Sequence, residues 1–479
     1  MSLIEQNLNI VKEPGETKEE FLRESEDPRY GLEVETHVIN KSLQGGTVET
    51  YHAIHNGVTG RAKMSLEAAS TMFEVKNGVP KTPDQPSSEA LNELTANLKV
   101  IEQQIRDLDH QIIPHSILPW SDFRDLAGTH IHPGPNPRPT SFINFFMAND
   151  PARARNFITV AGMQSSLTHR TPEDSLRYYN RMAHLSPLLA SVMSSVPPYA
   201  VLDDHSFGPV KNNLSLARRL QTGGGIDNAF PCLSSVTEIN AKQAELFMTN
   251  WNEYVWDTPI FSYYDPDDSD EFKRLKHFEP SGTMVSFRNL PEHLKTRENF
   301  NMASSIQYGL LTMSHIPPID GQPDKRRVEA RFFDTGTTGQ IASVAGLTKA
   351  VAFDENFGSN VDEFLRSAGF SPEHPDVSYP LLMKTLDNAA HTDFDSLAEL
   401  SFGNLSMAEA AKDFHRTVIE PLLDRHPELQ ALAMQCTKST SPALEFRQAV
   451  SSPKEFKKRT LQRAPLYNSQ PNNPELVIF

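Results

Sequence analysis

The run Tyr30–Asn40, YGLEVETHVIN, alternates residue types with period two around β-branched positions, which is the pattern of a strand. That alternation sends Glu33 and Glu35 to the same face. Two carboxylates side by side, on a strand whose other face is apolar, repel each other if buried bare, and one is driven to a higher pKa. Solvent on an open sheet face relieves the repulsion, and so does a divalent cation. A fold that accepts this strand has to offer one or the other.

Two later segments repeat the problem. Met72–Val75 reads as a strand ending at the Asn77-Gly78 turn signal, and it places Glu74 among Met, Phe and Val. A carboxylate there is costly unless it is paired or metal-bound. Glu67 lies seven residues earlier. Val328-Glu329-Ala330-Arg331-Phe332-Phe333-Asp334 reads as part of a strand from Arg327 to Asp334, with Glu329 and Arg331 on one face. An acid beside a guanidinium suits a place where a metal and a phosphoryl oxygen meet. Each segment alone also reads as solvated charge or an ordinary strand ion pair.

Between Pro86 and Pro114 apolar residues recur at Leu91, Leu94, Leu98, Ile101, Ile105, Leu108 and Ile112, the stripe of a helix with one buried face. Pro114 to about Asn149 is rich in Pro, Gly and Asn and reads as a long loop or insertion on a binding face. Thr171-Pro172-Glu173-Asp174 starts a second helix, with Thr at the N-cap and Pro at the first position, and Pro187 kinks it or ends its first half. Residues 196–230 look loop-like, Thr338–Phe353 helical and 380–436 mainly helical. A polar segment closes the chain, with Lys454, Lys457, Lys458, Arg459 and Arg463, and reads as a packed arm or an oligomer contact.

A net charge of −16 over 479 residues argues against a nucleic-acid partner, which needs a basic footprint. Acidic residues can still bind a polyphosphate through divalent cations. With Cys232 and Cys436 as its two cysteines the chain supports no disulfide framework, and a cytoplasmic location is the expectation. The charged N-terminal segment lacks a signal-peptide core, and no apolar run is long enough to span a membrane.

Taken in order, GLEVET at 31–36, the pair Glu67 and Glu74, and VEARFFD at 328–334 resemble the motifs of the glutamate–cysteine ligase superfamily of ATP-dependent carboxylate–amine ligases. The resemblance spans roughly residues 28–355 and implies an α+β fold: a curved, mainly antiparallel sheet of the glutamine synthetase-like type, with helices packed on its outer face. It implies a polar leader at 1–28, a catalytic domain at 29–436 with its core at 29–355 and a helical part at 356–436, and a polar arm at 437–479.

Carried over residue by residue, the family pattern makes Glu33, Glu35, Glu67, Glu74 and Glu329 ligands of two or three Mg²⁺ ions, with Mn²⁺ as a substitute, bridging the phosphates of ATP. Arg331 then meets the transferred phosphoryl group, and Arg218 or Arg219 contributes to substrate binding. The family places a metal-binding histidine where Gln164 stands in this chain, and an amide oxygen is a reasonable Mg²⁺ ligand. The implied reaction phosphorylates a carboxylate, glutamate or a related amino acid, and joins it to an amine through an acyl phosphate. Small-molecule substrates, no nucleic acid, no membrane and a homo-oligomer are the partner expectations. Two other readings stay open: an ATP-binding regulatory protein in which Gln164 marks altered chemistry, and a zinc hydrolase using His130 and His132.

Overall fold

The computed structural model describes residues 28–462, apart from 48–49, 51, 55–63, 67–70, 78–81, 123–136, 269–274, 279–281, 307–308 and 317–324. Seven strands form one antiparallel sheet: β1 (Tyr30–Asn40), β2 (Met64–Leu66), β3 (Met72–Lys76), β4 (His110–Ile113), β5 (Gly162–Thr168), β6 (Leu311–Ile316) and β7 (Lys325–Asp334). Their order is β6-β7-β5-β1-β3-β2, with β4 also paired to β1, and the sheet is open. The predicted strand at residues 30–40 is recovered in full, and it is the hub. Residues 30–34 pair with β5, residues 33–37 with β3 and residues 37–40 with β4.

Register then sorts the side chains, because directly paired residues share a face. Leu32, Val34, Val75, Met163, Leu167, Val328 and Ala330 fall on one face and are at most 3% exposed. Helices α1 (Ser87–Asp107), α2 (Pro172–Val192), α3 (Leu214–Thr222) and α4 (Thr338–Phe353) pack around the sheet, with α1, α2 and α4 contributing to the core on this apolar side. The mixed helix and antiparallel-sheet architecture agrees with the expected α+β class. No helix among the described residues is long and apolar enough to cross a membrane.

Local chemistry explains where the elements begin and end. The apolar stripe of α1 is buried through Ile105, but the helix stops at Asp107, because Asp109 turns the backbone to φ 60° and the chain re-enters the sheet as β4. Ile112 keeps the helical period by coincidence and is buried from a strand. In α2 the Thr171 hydroxyl accepts from Asp174 N at 3.0 Å, as the N-cap reading requires. Pro187 does not end that helix. A proline there withholds the N–H that Ala183 O would receive, and the Ser186 hydroxyl donates to that carbonyl instead, at 2.8 Å.

Two expectations are corrected. The Pro-rich stretch 114–149 is not all loop, since Pro137–Asn149 is a helix. Residues 196–230 hold a short hairpin, Tyr199–Val201 with Phe207–Pro209, followed by α3. The polar C-terminal segment forms two capped helices, α5 (Pro442–Ala449) and α6 (Pro453–Leu461), whose Phe446 and Phe456 are buried against His115 and Trp120. As far as it is described, this segment is a packed arm.

Candidate active site

The second face of the sheet carries the polar residues. Across β3, β1, β5 and β7 the register aligns Glu74 with Glu35, Lys76 with Glu33, Glu33 with Gln164, and Ser166 with Glu329. Four carboxylates from chain segments almost 300 residues apart thus share one surface with Gln164 and Arg331. Of the acidic residues singled out in the sequence, Glu67 lies outside the described residues, as do His130 and His132.

Arg331 lies within a bulge of β7. Between Ala330 and Phe333 the β7–β5 register shifts, so β7 spends three residues where β5 spends two. Strict alternation would put Phe333 on the polar face and Asp334 on the apolar one. The extra residue reverses this: Phe333 pairs with Met163 and is fully buried, and Asp334 pairs with Gly162. The bulge is held by Arg331 N donating to Leu310 O at 2.9 Å and by the Arg219 guanidinium, which donates to Arg331 O at 3.1 Å, Phe333 O at 3.3 Å and Ala161 O at 2.8 Å. Gly162 is what admits that guanidinium, since a Cβ there would stand 2.4 Å from an Arg219 nitrogen.

The two arginines that the sequence left indistinguishable therefore differ in place. Arg219 braces the bulge beside Glu35. Arg218, 3% exposed, donates to Thr159 Oγ1, Val201 O and Asp203. Asp334, the last residue of the third motif, accepts from Ser195 N at 2.9 Å and from the Ser215 hydroxyl at 2.5 Å, which ties the end of β7 to the segment after α2 and to α3.

The charges on the face are paired unequally. Lys76 Nζ lies 2.8 Å from Glu74 and 3.3 Å from Glu33. Arg331 lies 2.5 Å from Glu329, which Arg327 also contacts, and the Ser166 hydroxyl sits between Arg327 and Glu329. Burial alone would raise the Glu329 carboxyl, but the Arg331 and Arg327 guanidiniums outweigh it and hold it down at about 2. Glu35 has weaker help: it accepts from Gly162 N at 2.7 Å and from the Gln164 amide at 2.9 Å, and burial pushes it up to about 7. Glu33 is also raised, by burial and then by the neighbouring Glu74.

Lys76, Arg327 and Ser166 were not among the residues singled out in the sequence. Carboxylate and amide oxygens are the donors a hard divalent cation takes, so the donor set fits such a cation. As they stand, Glu33 and Glu74 are turned to Lys76, Glu329 to Arg327 and Arg331, and Glu35 to Gly162 N and the Gln164 amide. Among the described residues no three acidic, histidine or cysteine side chains converge as a ready metal site.

The backbone has solved counterparts. The chain is similar to a glutamate–cysteine ligase from Francisella tularensis, solved in complex with AMP: 13% identity and a TM-score of 0.52, over 94% of this chain and 91% of that one. It is also similar to a bifunctional glutathione synthetase from Pasteurella multocida, at 11% identity and a TM-score of 0.48, over 92% of this chain and 52% of that one. No family model matches the chain, and no curated protein matches it in sequence. At such identity the first likeness shows a shared fold. The resemblance carried by three short motifs thus extends to the backbone that spaces them.

Proposed function

We propose that the protein is an ATP-dependent carboxylate–amine ligase, with the polar sheet face as its active site and with a sheet of the glutamine synthetase-like type. The observation that supports this reading most directly is the convergence of Glu33, Glu35, Glu74, Gln164, Glu329 and Arg331 on one face of a fold shared with a glutamate–cysteine ligase. Function follows from the site and not from the fold alone. Here the acids and the arginine that the reaction needs are brought together by strand register.

In this reading Glu33, Glu35, Glu74, Glu329 and the Gln164 amide oxygen hold Mg²⁺, and Glu67 joins them. Bound Mg²⁺ would offset phosphate charge and act as a Lewis acid. The rest of the work falls to the chain. The Arg331 guanidinium, oriented by Glu329, stabilises charge developing on the transferred phosphoryl group. Arg327, on the same face and 42% exposed, sits where it can take up further phosphate charge. The sheet, tied down by α1, α2 and α4, keeps these groups fixed, so positioning and charge neutralisation supply most of the catalysis. The carboxylate substrate is glutamate or a related amino acid, and the acceptor is an amine.

A coupled ADP-release screen over carboxylate and amine pairs with Mg²⁺, beginning with glutamate, tests this. Glu33→Ala and Glu329→Ala are expected to fold and to lose amine-dependent ADP release. Full turnover in both variants would refute the assignment. Nucleotide binding by the wild type without any amine-dependent ADP release would point to the regulatory reading, in which Gln164 marks altered chemistry.

A further inference from the structure

We propose that Lys76 is a resident counter-cation, whose ammonium holds the position between Glu33 and Glu74 that a divalent cation takes over. Metal entry is then an exchange of one positive charge for another. The proposal rests on the carboxylate face being a metal site, and it adds a residue outside the ligand set that the resemblance implies.

The strand geometry makes the placement specific. Lys76 is the cross-strand partner of Glu33 and lies two residues after Glu74, so all three side chains stand on one face. Its ammonium bridges the two carboxylates at 3.3 and 2.8 Å. Arg327 and Arg331 both bear on Glu329. On the Glu33–Glu74 side the bridge is made by a lysine.

Backbone and side chain at this position are held very differently. Asn77 Oδ1 accepts from Leu32 N at 2.6 Å, Asn77 N donates to Leu32 O at 3.1 Å, and Asn97 donates to Lys76 O at 3.2 Å, so the end of β3 is pinned. The Lys76 side chain is 41% exposed. A lysine carries a compact, strongly hydrated charge on a flexible stem, and it can leave for water without moving the strand. Arg327 is less free to leave, because its guanidinium is engaged with both Ser166 and Glu329. The bridge built from lysine is the exchangeable one. Such an exchange weakens binding of the free cation, because a charge has to be displaced, and it keeps the crowded carboxylates compensated when no metal is bound.

The test is Mn²⁺ binding to the full chain, followed by the loss of the free-ion electron paramagnetic resonance signal, for wild type, Lys76→Met and Lys76→Arg. Removing the competing charge should tighten Mn²⁺ binding on the order of tenfold in Lys76→Met. Lys76→Arg should bind as weakly as wild type or more weakly. Metal-free Lys76→Met should melt below wild type, and saturating Mn²⁺ should remove most of that difference. Lys76→Gln serves the same comparison if the methionine variant does not fold. Equal or weaker Mn²⁺ binding by the neutral variant, with wild type binding Mn²⁺, would overturn the role of Lys76 and leave the metal reading standing. Absence of binding in all the variants would overturn both.

Discussion

Glu35→Gln should raise the stability of the metal-free protein at pH 8, and Glu329→Gln should lower it, although both replace an acid by its isosteric amide on the same sheet face. The opposite signs follow from how each carboxyl is compensated. Burial holds Glu35 at about 7, above the usual carboxylate range, so the folded state keeps its proton longer than the unfolded chain does. This group's contribution therefore falls as pH rises from the unfolded value to about 7, and above that its ionisation is a standing cost to the fold. The gain from Glu35→Gln should be absent at pH 4 and complete at pH 8, with a ceiling of roughly 3 kcal/mol. The Gln164 amide can turn over to accept from the new side chain, so the hydrogen bond survives.

Glu329 is the mirror case. Its guanidinium partners hold it at about 2, so it contributes stability above the unfolded carboxylate range, and that contribution is lost as pH falls toward 2. Glu329→Gln leaves Arg331 and Arg327 beside a neutral group and should cost a few kcal/mol at neutral pH. Thermal melts of both variants at pH 5 and pH 8 without divalent ions decide the matter. Shifts of the same sign at pH 8 would contradict the charge arrangement described for this face. Cation binding should reverse the Glu35 result, because saturating Mn²⁺ should stabilise wild type more than Glu35→Gln.

The second large effect concerns Arg331. Its replacement by alanine should reduce turnover by about 10²–10³-fold while leaving nucleotide affinity within a few-fold, because in the proposed reaction the group acts on charge that develops during transfer. Lysine should rescue little, since the guanidinium is oriented by its contact with Glu329 and a lysine cannot reproduce a planar fork. Arg219→Met is the informative comparison. Arg219 supports the bulge through three backbone carbonyls, so its loss should lower turnover and stability together; Arg331→Ala should also melt below wild type, because the buried Glu329 keeps only Arg327 as compensating charge, and that loss should shrink when Glu329 is replaced by glutamine as well. Unchanged turnover in Arg331→Ala would remove it from the phosphoryl-transfer role.

Three of the sheet's seven strands, β1, β3 and β7, could be read in advance, and the reason is period two. Alternation around Glu33, Glu35 and Glu329 placed β1 and β7 almost residue for residue. The same parity rule, applied two residues beyond Glu74 and two before Glu329, points to Lys76 and Arg327, whose pairing with the acids only the register makes plain. Ser166 becomes visible only through its register opposite Glu329. The bulge at Arg331 was not legible, because VEARFFD alternates acceptably as a regular strand and only the burial of Phe333 beside Met163 reveals the extra residue. The end of α1 was misplaced since Ile112 continues its stripe, and the stop is a single left-handed residue, Asp109, with no glycine to announce it. Helix α3 is nine residues long and lies in a polar stretch, below the length at which helical periodicity is distinctive.

The closing arm bears on the order in which the chain can finish folding. Gln111 donates to Thr460 O across 349 positions, Ala443 N donates to Ser194 O, and Phe446 and Phe456 complete the cluster begun by His115 and Trp120. A ribosome therefore delivers the strands of the sheet long before it delivers the cover for residues 110–120. Until residues 442–461 emerge, the nascent molecule carries its carboxylate row together with an open aromatic patch, the kind of surface that chaperones bind and aggregates grow from.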